Sequence, residues 1–376
     1  METPRNERLL AAALAGIKTI SFRRRCIQQI RKKFQKAQGE ISLRLKPVEE
    51  QVVALMGASS GIGRETALRF AERGAKVVVS ARNEKGLNSL VEEIRGKGGQ
   101  ATAIPADVSE FEQVKAVADR AVEVYGRLDT WVHLAAVLLV ASFEDTTSEE
   151  FARVVDVNLM GQVYGAMAAL PHIKREGGGA LIHVSSMGAK RSIPLQSAYC
   201  ASKHGIDGFL ESLRVELQHE KLPISVTQVM PATINTPLFD KARTKLGVKP
   251  VAPPPIYQPR IVCEAILHAA ANPTRDLVVG GAAKAVILSQ QLSPRLLDAL
   301  LRVRGFEVHY TSEPKSEDAP DNLFEPIEDH NVVEGSFRAR AHSRSLYNWL
   351  ELHPAVKRGA MAGLTIGALG ALRRRM

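Results

Sequence analysis

Residues 52–63 read VVALMGASSGIG, and this stretch decides the class of fold. The five apolar residues Val52–Met56 favour a buried strand. Gly57, Gly61 and Gly63 follow at once and lead into a helical pattern. Glycines placed in this way permit a tight turn and close approach of the backbone to a diphosphate, and the start of the helix offers unpaired N–H groups. The order of strand, glycine turn and helix predicts a dinucleotide-binding unit.

The alternation of strand and helix continues to about residue 285. The short apolar runs predicted to be strands are Val52–Met56, Lys76–Ser80, Ala101–Pro105, Thr130–Ala135, Ala180–Val184, Ile224–Met230 and Leu277–Val279. The intervening stretches predicted to be helices include Gly63–Arg73, Glu84–Arg95, Glu110–Tyr125, Ser148–Lys174 and Ser197–Glu220. Nearly continuous apolar strands separated by helices predict an α/β fold, with a doubly wound, mostly parallel sheet of about seven strands covered on both faces.

Composition excludes several classes of protein. The chain has 376 residues, of which 45% are hydrophobic, so it is too apolar to be disordered. Its three cysteines are scattered and odd in number, which argues against a disulfide framework or a zinc site. His133 and His183 have no HExxH pattern or paired carboxylates beside them. We therefore expect ordinary loop or core histidines and no metal site.

The formal net charge of +10 is concentrated at the two ends of the chain. Residues 1–46 carry a net +9 and residues 351–376 a net +4, which leaves −3 on the part between them. The total charge therefore says little about a substrate. We divide the chain into a basic, apolar N-terminal extension (1–46), a Rossmann domain (47–285), an amphipathic and polar C-terminal extension (286–350) and an apolar tail flanked by basic residues (351–376).

Two regions of the C-terminal half depart from the strand and helix pattern. Pro237–Pro259 is rich in proline and is predicted to be a loop or lid rather than a core element. Residues 283–303 have the apolar spacing of one or two amphipathic helices. Thr311–Arg344 is polar and contains proline, so we predict no regular structure there.

The end of the second predicted strand, Ser80-Ala81-Arg82, indicates which dinucleotide is bound. A carboxylate at this place would accept hydrogen bonds from the adenosine ribose of NAD. The segment offers a guanidinium instead, which suits a 2′-phosphate. The alternatives are that Arg82 is a solvated loop residue or that Glu84 reaches the ribose. We expect NADP(H) to be favoured over NAD(H).

Four polar residues suggest proton-transfer chemistry. Tyr199 and Lys203 lie four residues apart in a helical pattern and so share one face. A free tyrosine has a pKa of about 10, and an adjacent ammonium favours its phenolate. Such a pair is by itself usually on the surface, but Ser186 follows a predicted strand at the end where open parallel sheets bind ligands. Its hydroxyl could hydrogen-bond a substrate carbonyl or cap the next helix. Asn158 is either a satisfied structural amide or a member of a proton relay.

With these residues assembled, residues 50–285 resemble the short-chain dehydrogenase/reductase family. Besides the glycine pattern, the matching positions are Asp107, Asn158, Ser186 placed 13 residues before Tyr199, and Lys203. The resemblance implies an NADP(H)-dependent oxidoreductase that interconverts a carbonyl and an alcohol. In that family pattern Tyr199 exchanges the proton and Ser186 orients the carbonyl. Lys203 holds the nicotinamide ribose and lowers the tyrosine pKa, and Asn158 positions a relay water.

The resemblance also implies a set of cofactor-binding residues. They are Gly57, Ser59, Ser60, Gly61, Ile62, Gly63, Arg82, Asp107, Val108, Ala135, Tyr199, Lys203, Pro231, Ile234 and Thr236. Asp107 and Val108 match the segment that contacts adenine, and Arg82 matches the basic position of NADP-preferring members. Ile234 and Thr236 match the loop near the carboxamide and the phosphates.

The chain also departs from the family pattern. Met56 replaces the usual threonine before the first glycine, residues 133–136 read HLAA instead of NNAG, and Ala232 replaces a glycine. The complete Asn–Ser–Tyr–Lys set favours an active enzyme. The alternative is a catalytically weak NADP-binding sensor or scaffold.

The two ends suggest where the protein acts. Gly359–Leu372 is a run of apolar or small residues between basic clusters. As a helix it would span roughly 21 Å, less than a hydrocarbon core of about 30 Å. We expect either peripheral attachment to a membrane or a helix packed on a partner subunit, whereas nucleic-acid binding is disfavoured because no reading motif is present. We expect a cytoplasmic homo-oligomer, with or without membrane association through its ends, that acts on a small hydrophobic carbonyl or alcohol.

Overall fold

A seven-stranded parallel sheet forms the centre of the computed structural model, which describes residues 43–251 and 253–359. The strands are β1 (Val52–Met56), β2 (Lys76–Ser80), β3 (Gln100–Ala103), β4 (Thr130–His133), β5 (Gly179–Val184), β6 (Ile224–Pro231) and β7 (Asp276–Val279). Their spatial order is β3-β2-β1-β4-β5-β6-β7. The prediction of a doubly wound parallel sheet is therefore confirmed.

Helices cover both faces of this sheet. They are α1 (Gly61–Glu72), α2 (Glu84–Gly96), α3 (Phe111–Tyr125), α4 (Ser148–Val155), α5 (Gly161–Arg175), α6 (Ser197–His219), α7 (Arg260–Ala271), α8 (Gly281–Leu292), α9 (Pro294–Arg304) and α10 (Leu346–Leu352). The residues of β1 alternate between two hydrophobic clusters: Val53 and Leu55 belong to one, and Val52, Ala54 and Met56 to the other. Because β1 is buried on both faces, its sequence is an unbroken apolar run.

The single helix predicted over Ser148–Lys174 is interrupted in the structure. A π-helical turn, Asp156–Met160, separates α4 from α5. Asn158 lies in this turn and is completely buried. Such turns shift the side chains that follow relative to a regular helix and are often found at functional sites. The periodicity of the apolar residues did not indicate this interruption.

The segment Pro237–Pro259 is more integrated into the fold than predicted. Arg243–Thr244 forms a short strand that pairs with Leu139–Val140, and Ile256–Tyr257 pairs with Thr233–Ile234 and with Ala341–His342. Its apolar side chains, together with Leu138, Val140 and Phe337, form a third hydrophobic cluster. The prediction that this segment contributes no core element was therefore wrong.

Residues beyond β7 first form the two predicted amphipathic helices, α8 and α9. The polar residues after them are mostly irregular, as predicted, but they pack against the sheet domain. We call residues 321–335 the strap. It is anchored by the buried side chain of Leu323 and by an ion pair between Asp321 and Arg243 at 2.8 Å.

Several sequence predictions concern the two ends of the chain. Most of the N-terminal extension and most of the C-terminal tail lie outside the described residues. Among the residues that are described, no helix is both long and apolar enough to cross a membrane. The division into four segments stays a prediction.

Candidate functional site

A cleft opens at the carboxyl ends of β1, β2, β3 and β4. The chain passes from β1 outward through β2 and β3 and then returns to β4 on the other side of β1, so the strand order reverses between β1 and β4. Open parallel sheets bind ligands at this switch point. The predicted cofactor residues that line the cleft are Gly57, Ser59, Ser60, Gly61, Ile62, Gly63, Arg82, Asp107, Val108, Ala135 and Thr236.

The glycines of the first turn are required by close packing. Gly57 has a φ of +87°, and an added Cβ would lie 2.6 Å from the backbone of Ala135. A Cβ on Gly63 would lie 2.1 Å from the carbonyl oxygen of Gly57. The turn therefore holds α1 close to β1 and to the loop after β4. The N–H groups of Ile62 and Gly63, in the first turn of α1, have no partner four residues earlier in the helix and suit a diphosphate in the cleft.

A second pocket adjoins the cleft and shares Ile62 and Thr236 with it. The predicted residues that line this pocket, besides those two, are Ser186, Tyr199, Lys203, Pro231 and Ile234. Ser186 follows β5, whereas Tyr199 and Lys203 lie on α6. The Lys203 Nζ is 5.4 Å from the centroid of the Tyr199 ring and donates to the Val184 carbonyl oxygen at 3.2 Å. Three predicted catalytic residues thus converge beside the cleft.

Burial changes the protonation of this group. Burial raises the pKa of Tyr199 to about 12, although a hydrogen bond with Ser186 acts in the opposite direction. Burial also lowers the pKa of Lys203 to about 7. The tyrosine therefore carries its proton at neutral pH, and the charge of the lysine responds to small changes in its surroundings.

Asn158 lines neither pocket and lies behind the loop that follows β4. Its Oδ1 accepts from the Val137 N–H at 2.8 Å, and its Nδ2 donates to the Val137 carbonyl oxygen at 3.0 Å. The side chain therefore fixes a loop that lines the cleft. Its predicted part in a proton relay stays a prediction.

The strap lines the cleft at the end where Arg82 lies. The Arg82 guanidinium donates to the carbonyl oxygens of Asn322 and Phe324. Asn83 donates to the Ile327 carbonyl oxygen at 2.7 Å. The Val332 carbonyl oxygen accepts a hydrogen bond from the Gly61 N–H at 2.9 Å. The strap therefore contributes directly to the wall of the cleft.

The predicted adenine contact, Asp107, lies in an ionic cluster at the same end. Arg153 donates to its carboxylate at 2.6 Å, and Arg82 is 3.9 Å away. Burial acts to raise the Asp107 pKa, but hydrogen bonds from Arg153 and Ser109 outweigh it and hold the pKa below its ordinary value. The carboxylate is therefore ionised and fixed in place.

Sequence reasoning missed several residues of the cleft. They are Asn83, Leu238, Lys241, Asn322, Pro326 and Ile327. The strap residues contact Arg82 and Asn83 through backbone carbonyl groups. Because every residue type has such a group, the sequence does not reveal these contacts. Lys241 follows the predicted cofactor loop by five residues, and no pattern distinguishes it from a surface lysine.

The fold and the cleft at its switch point are those of the doubly wound α/β class that binds dinucleotides. Residues 51–247 match the family model described as short chain dehydrogenase. The chain belongs to this family and is an enzyme of it.

Two relatives and one solved structure illustrate the relationship. A Bacillus subtilis protein named uncharacterized oxidoreductase YxnA is 39% identical over 331 residues, which are 87% of this chain and 92% of the relative. The Mycobacterium tuberculosis oxidoreductase SadH is 30% identical over 68% of this chain and 92% of its own. A crystal structure of a short chain dehydrogenase/reductase from Burkholderia phymatum, in complex with NAD, has a TM-score of 0.60 at 22% identity and covers 67% of this chain and 97% of its own. That likeness supports the fold.

Proposed function

We propose that this enzyme interconverts a carbonyl and an alcohol with NADP(H), and that Tyr199 exchanges the proton. One observation carries the proposal: Ser186, Tyr199 and Lys203 line a single pocket that shares walls with the dinucleotide cleft. A hydroxyl pair beside an ammonium can hydrogen-bond a carbonyl oxygen and supply a proton to it. Bound nicotinamide supplies or accepts the hydride.

Each side chain has a distinct part in this proposal. Ser186 accepts from the N–H of Gly188 at 3.0 Å, which fixes its hydroxyl beside the tyrosine. Tyr199 is the acid, since its phenol lies with the Ser186 hydroxyl in one pocket and is protonated at neutral pH. Lys203, when charged, stabilises the phenolate left behind. A protonated phenol is the form that carbonyl reduction needs, and a phenolate is the form that alcohol oxidation needs.

The preference for NADP(H) is supported by the end of β2. No acidic side chain lies between Ser80 and Asn83, and Arg82 lines the cleft there. Its guanidinium has five N–H donors, and the two carbonyl groups of the strap each accept from one nitrogen. Donors therefore remain for a 2′-phosphate.

An apolar substrate is supported by the lining of the second pocket. Around the polar group it presents Leu138, Met187, Ile193, Leu238, Phe239 and Pro253. Apolar walls with a few convergent polar groups are typical of sites for small hydrophobic ligands. We propose a hydrophobic ketone or aldehyde and the corresponding alcohol.

The test is NADPH oxidation against a panel of carbonyl compounds, with Tyr199→Phe as the diagnostic variant. Phenylalanine keeps the ring and removes only the hydroxyl, so turnover is expected to fall by about 10²-fold or more, while NADPH still binds. Tyr310→Phe is the matched control, because Tyr310 is exposed and lines neither pocket. Equal rates for Tyr199→Phe and the parent would refute the catalytic assignment. NADPH binding without turnover of any compound would favour the sensor or scaffold.

We also propose peripheral attachment to an anionic membrane. In addition to the basic ends of the chain, α9 supports it: Leu296, Leu300 and Val303 share one exposed face of this helix. Arg295, Arg302 and Arg304 lie on the same helix, and this combination is typical of interfacial helices. Flotation of the full chain with phosphatidylserine vesicles at low salt tests it. Protein that stays out of the lipid fraction would contradict it, and the homo-oligomer stays a prediction.

A further inference from the structure

Lys241 is a buried lysine at the wall of the dinucleotide cleft. Its backbone is fixed on both sides: its N–H donates to the Pro237 carbonyl oxygen at 2.9 Å, and its carbonyl oxygen accepts from the Asn322 N–H at 3.0 Å. The residue is only 6% exposed and lines the cleft. The backbone of Lys241 is therefore held between Pro237 and the strap, and the residue lines the cleft.

This ammonium has few partners. Its one hydrogen bond within the described residues goes to the Ser60 hydroxyl oxygen, at 3.4 Å. The neighbouring carboxylate of Asp240 is bound instead by Lys249 at 3.0 Å and by the Ser336 hydroxyl at 2.6 Å. Asp329, the other nearby acid, lies on the exposed side of the strap. Burial dominates these charges and lowers the pKa of Lys241 to about 8.

The position beside α1 makes the ammonium unfavourable without an anion. Ser60 is the N-cap residue of α1, and its side chain makes no capping hydrogen bond to the described helix. The N-terminus of a helix carries a partial positive charge, which repels a cation and attracts an anion. Burial also removes the hydration of the charge, and a partner of opposite charge is needed to compensate for that loss. Both costs are removed when an anion lies between Lys241 and the glycine turn.

We propose that Lys241 is a ligand of the diphosphate of the bound dinucleotide, acting with the N-terminus of α1. The inference rests on the cofactor site of the proposed function. Gly61 and Thr236 mark the same place, since a Cβ added to Gly61 would lie 3.2 Å from the Thr236 Cβ. Arg82 and Asn83 follow the end of β2, where the proposed cofactor site places the adenosine ribose instead. The contact is therefore with the diphosphate, which NAD and NADP share.

Binding measurements on Lys241→Met test the assignment. Methionine has similar length without the charge, so the Kd values of NADH, NADPH and ADP-ribose should all rise about tenfold to hundredfold, which is about 1.4 to 2.8 kcal/mol. Lys241→Arg should recover most of the affinity. Lys115→Met is the matched control, because Lys115 is exposed on α3 and pairs with Asp119. Its Kd values should not change.

Thermal stability distinguishes a ligand from a structural role. Removing a desolvated charge should leave the melting temperature of the free protein unchanged or higher in Lys241→Met, while the increase produced by NADPH becomes smaller. A lower melting temperature of the free protein with unchanged Kd values would overturn the proposal. A loss confined to NADPH would also overturn it, because that result places the lysine at the 2′-phosphate. These measurements need no turnover. If the protein bound NADPH but were inactive, the proposed function would be refuted, while the contact between Lys241 and the diphosphate could still be tested.

Discussion

Acidification from pH 7 to pH 5 should destabilise this protein through two histidines behind the second pocket. His133 and His183 face each other on β4 and β5, with parallel rings 6.3 Å apart, and both are completely buried. They are core histidines, which is one of the two alternatives that the sequence left open. His183 makes a hydrogen bond with Gln162 at 3.0 Å, whereas neither ring nitrogen of His133 has a partner within the described residues.

The magnitude follows from their pKa values. Burial lowers the pKa of His183 to about 3. Burial also lowers the pKa of His133 well below its ordinary value, and the nearby His183 and Lys203 lower it further. In the unfolded chain a histidine titrates near 6.5. Below that pH the unfolded state binds more protons, so stability is lost as the pH falls toward the folded pKa. Each histidine should cost about 1.4 kcal/mol per pH unit, or about 2 kcal/mol between pH 7 and pH 5.

Urea unfolding of the free protein at pH 7, 6 and 5 measures this loss. Leucine at position 133 fills a similar volume and cannot be protonated, so His133→Leu should remove about 2 kcal/mol of the loss at pH 5. His219→Gln is the control, because His219 is exposed at the end of α6. Carboxyl groups titrate mainly below pH 5, so they contribute little over this range. Equal pH dependence in His133→Leu and the parent would refute the reasoning.

Three further predictions concern charge and packing at the site. Burial lowers the pKa of Lys203 to about 7, so the lysine loses its charge as the pH rises from 7 to 9, and kcat/KM for carbonyl reduction should fall over this range. In Lys203→Arg this pH dependence should disappear. An unchanged pH dependence in the variant would contradict the role of Lys203. Arg82→Ala should raise the Kd of NADPH about tenfold more than that of NADH, as measured by fluorescence titration, and equal increases would remove Arg82 from the phosphate site. Gly165→Ala would place a Cβ 2.6 Å from both Trp131 Nε1 and His133 Nδ1; a loss of about 1–3 kcal/mol is expected in urea unfolding, and no loss would show that α5 can move away from β4.

The sequence predicted the sheet because burial on both faces leaves a strong pattern. β1 and β2 begin and end where their apolar runs do, whereas β3 ends two residues before the predicted Pro105. Proline provides no N–H for a ladder, so the end of that strand was open to error. The position of Tyr199 and Lys203 beside the cleft was predictable for a different reason. Their spacing of four residues in a helical pattern places them on one face, and both line the second pocket.

The strap could not be predicted in the same way. Its contacts with Arg82 and Gly61 are made by backbone carbonyl groups, which have no signature in the sequence. These contacts also join residues more than 200 positions apart. The periodicity of apolar residues identifies helices and strands, and it gives no information about an irregular segment. A polar, proline-containing composition predicts an absence of regular structure. It does not predict whether such a segment packs against a domain.

Two buried lysines and one partly buried arginine connect the fold with binding. Arg82, Lys203 and Lys241 line the cleft and its adjoining pocket, and burial lowers the pKa of each. A protein selected for stability alone would expose or pair such groups, because desolvated charge is unfavourable. Their position at the switch point of the sheet suits a ligand with negative charge. In the proposed function, the same desolvation that weakens the free protein would strengthen contacts with the cofactor, so cofactor binding and folding stability should rise together.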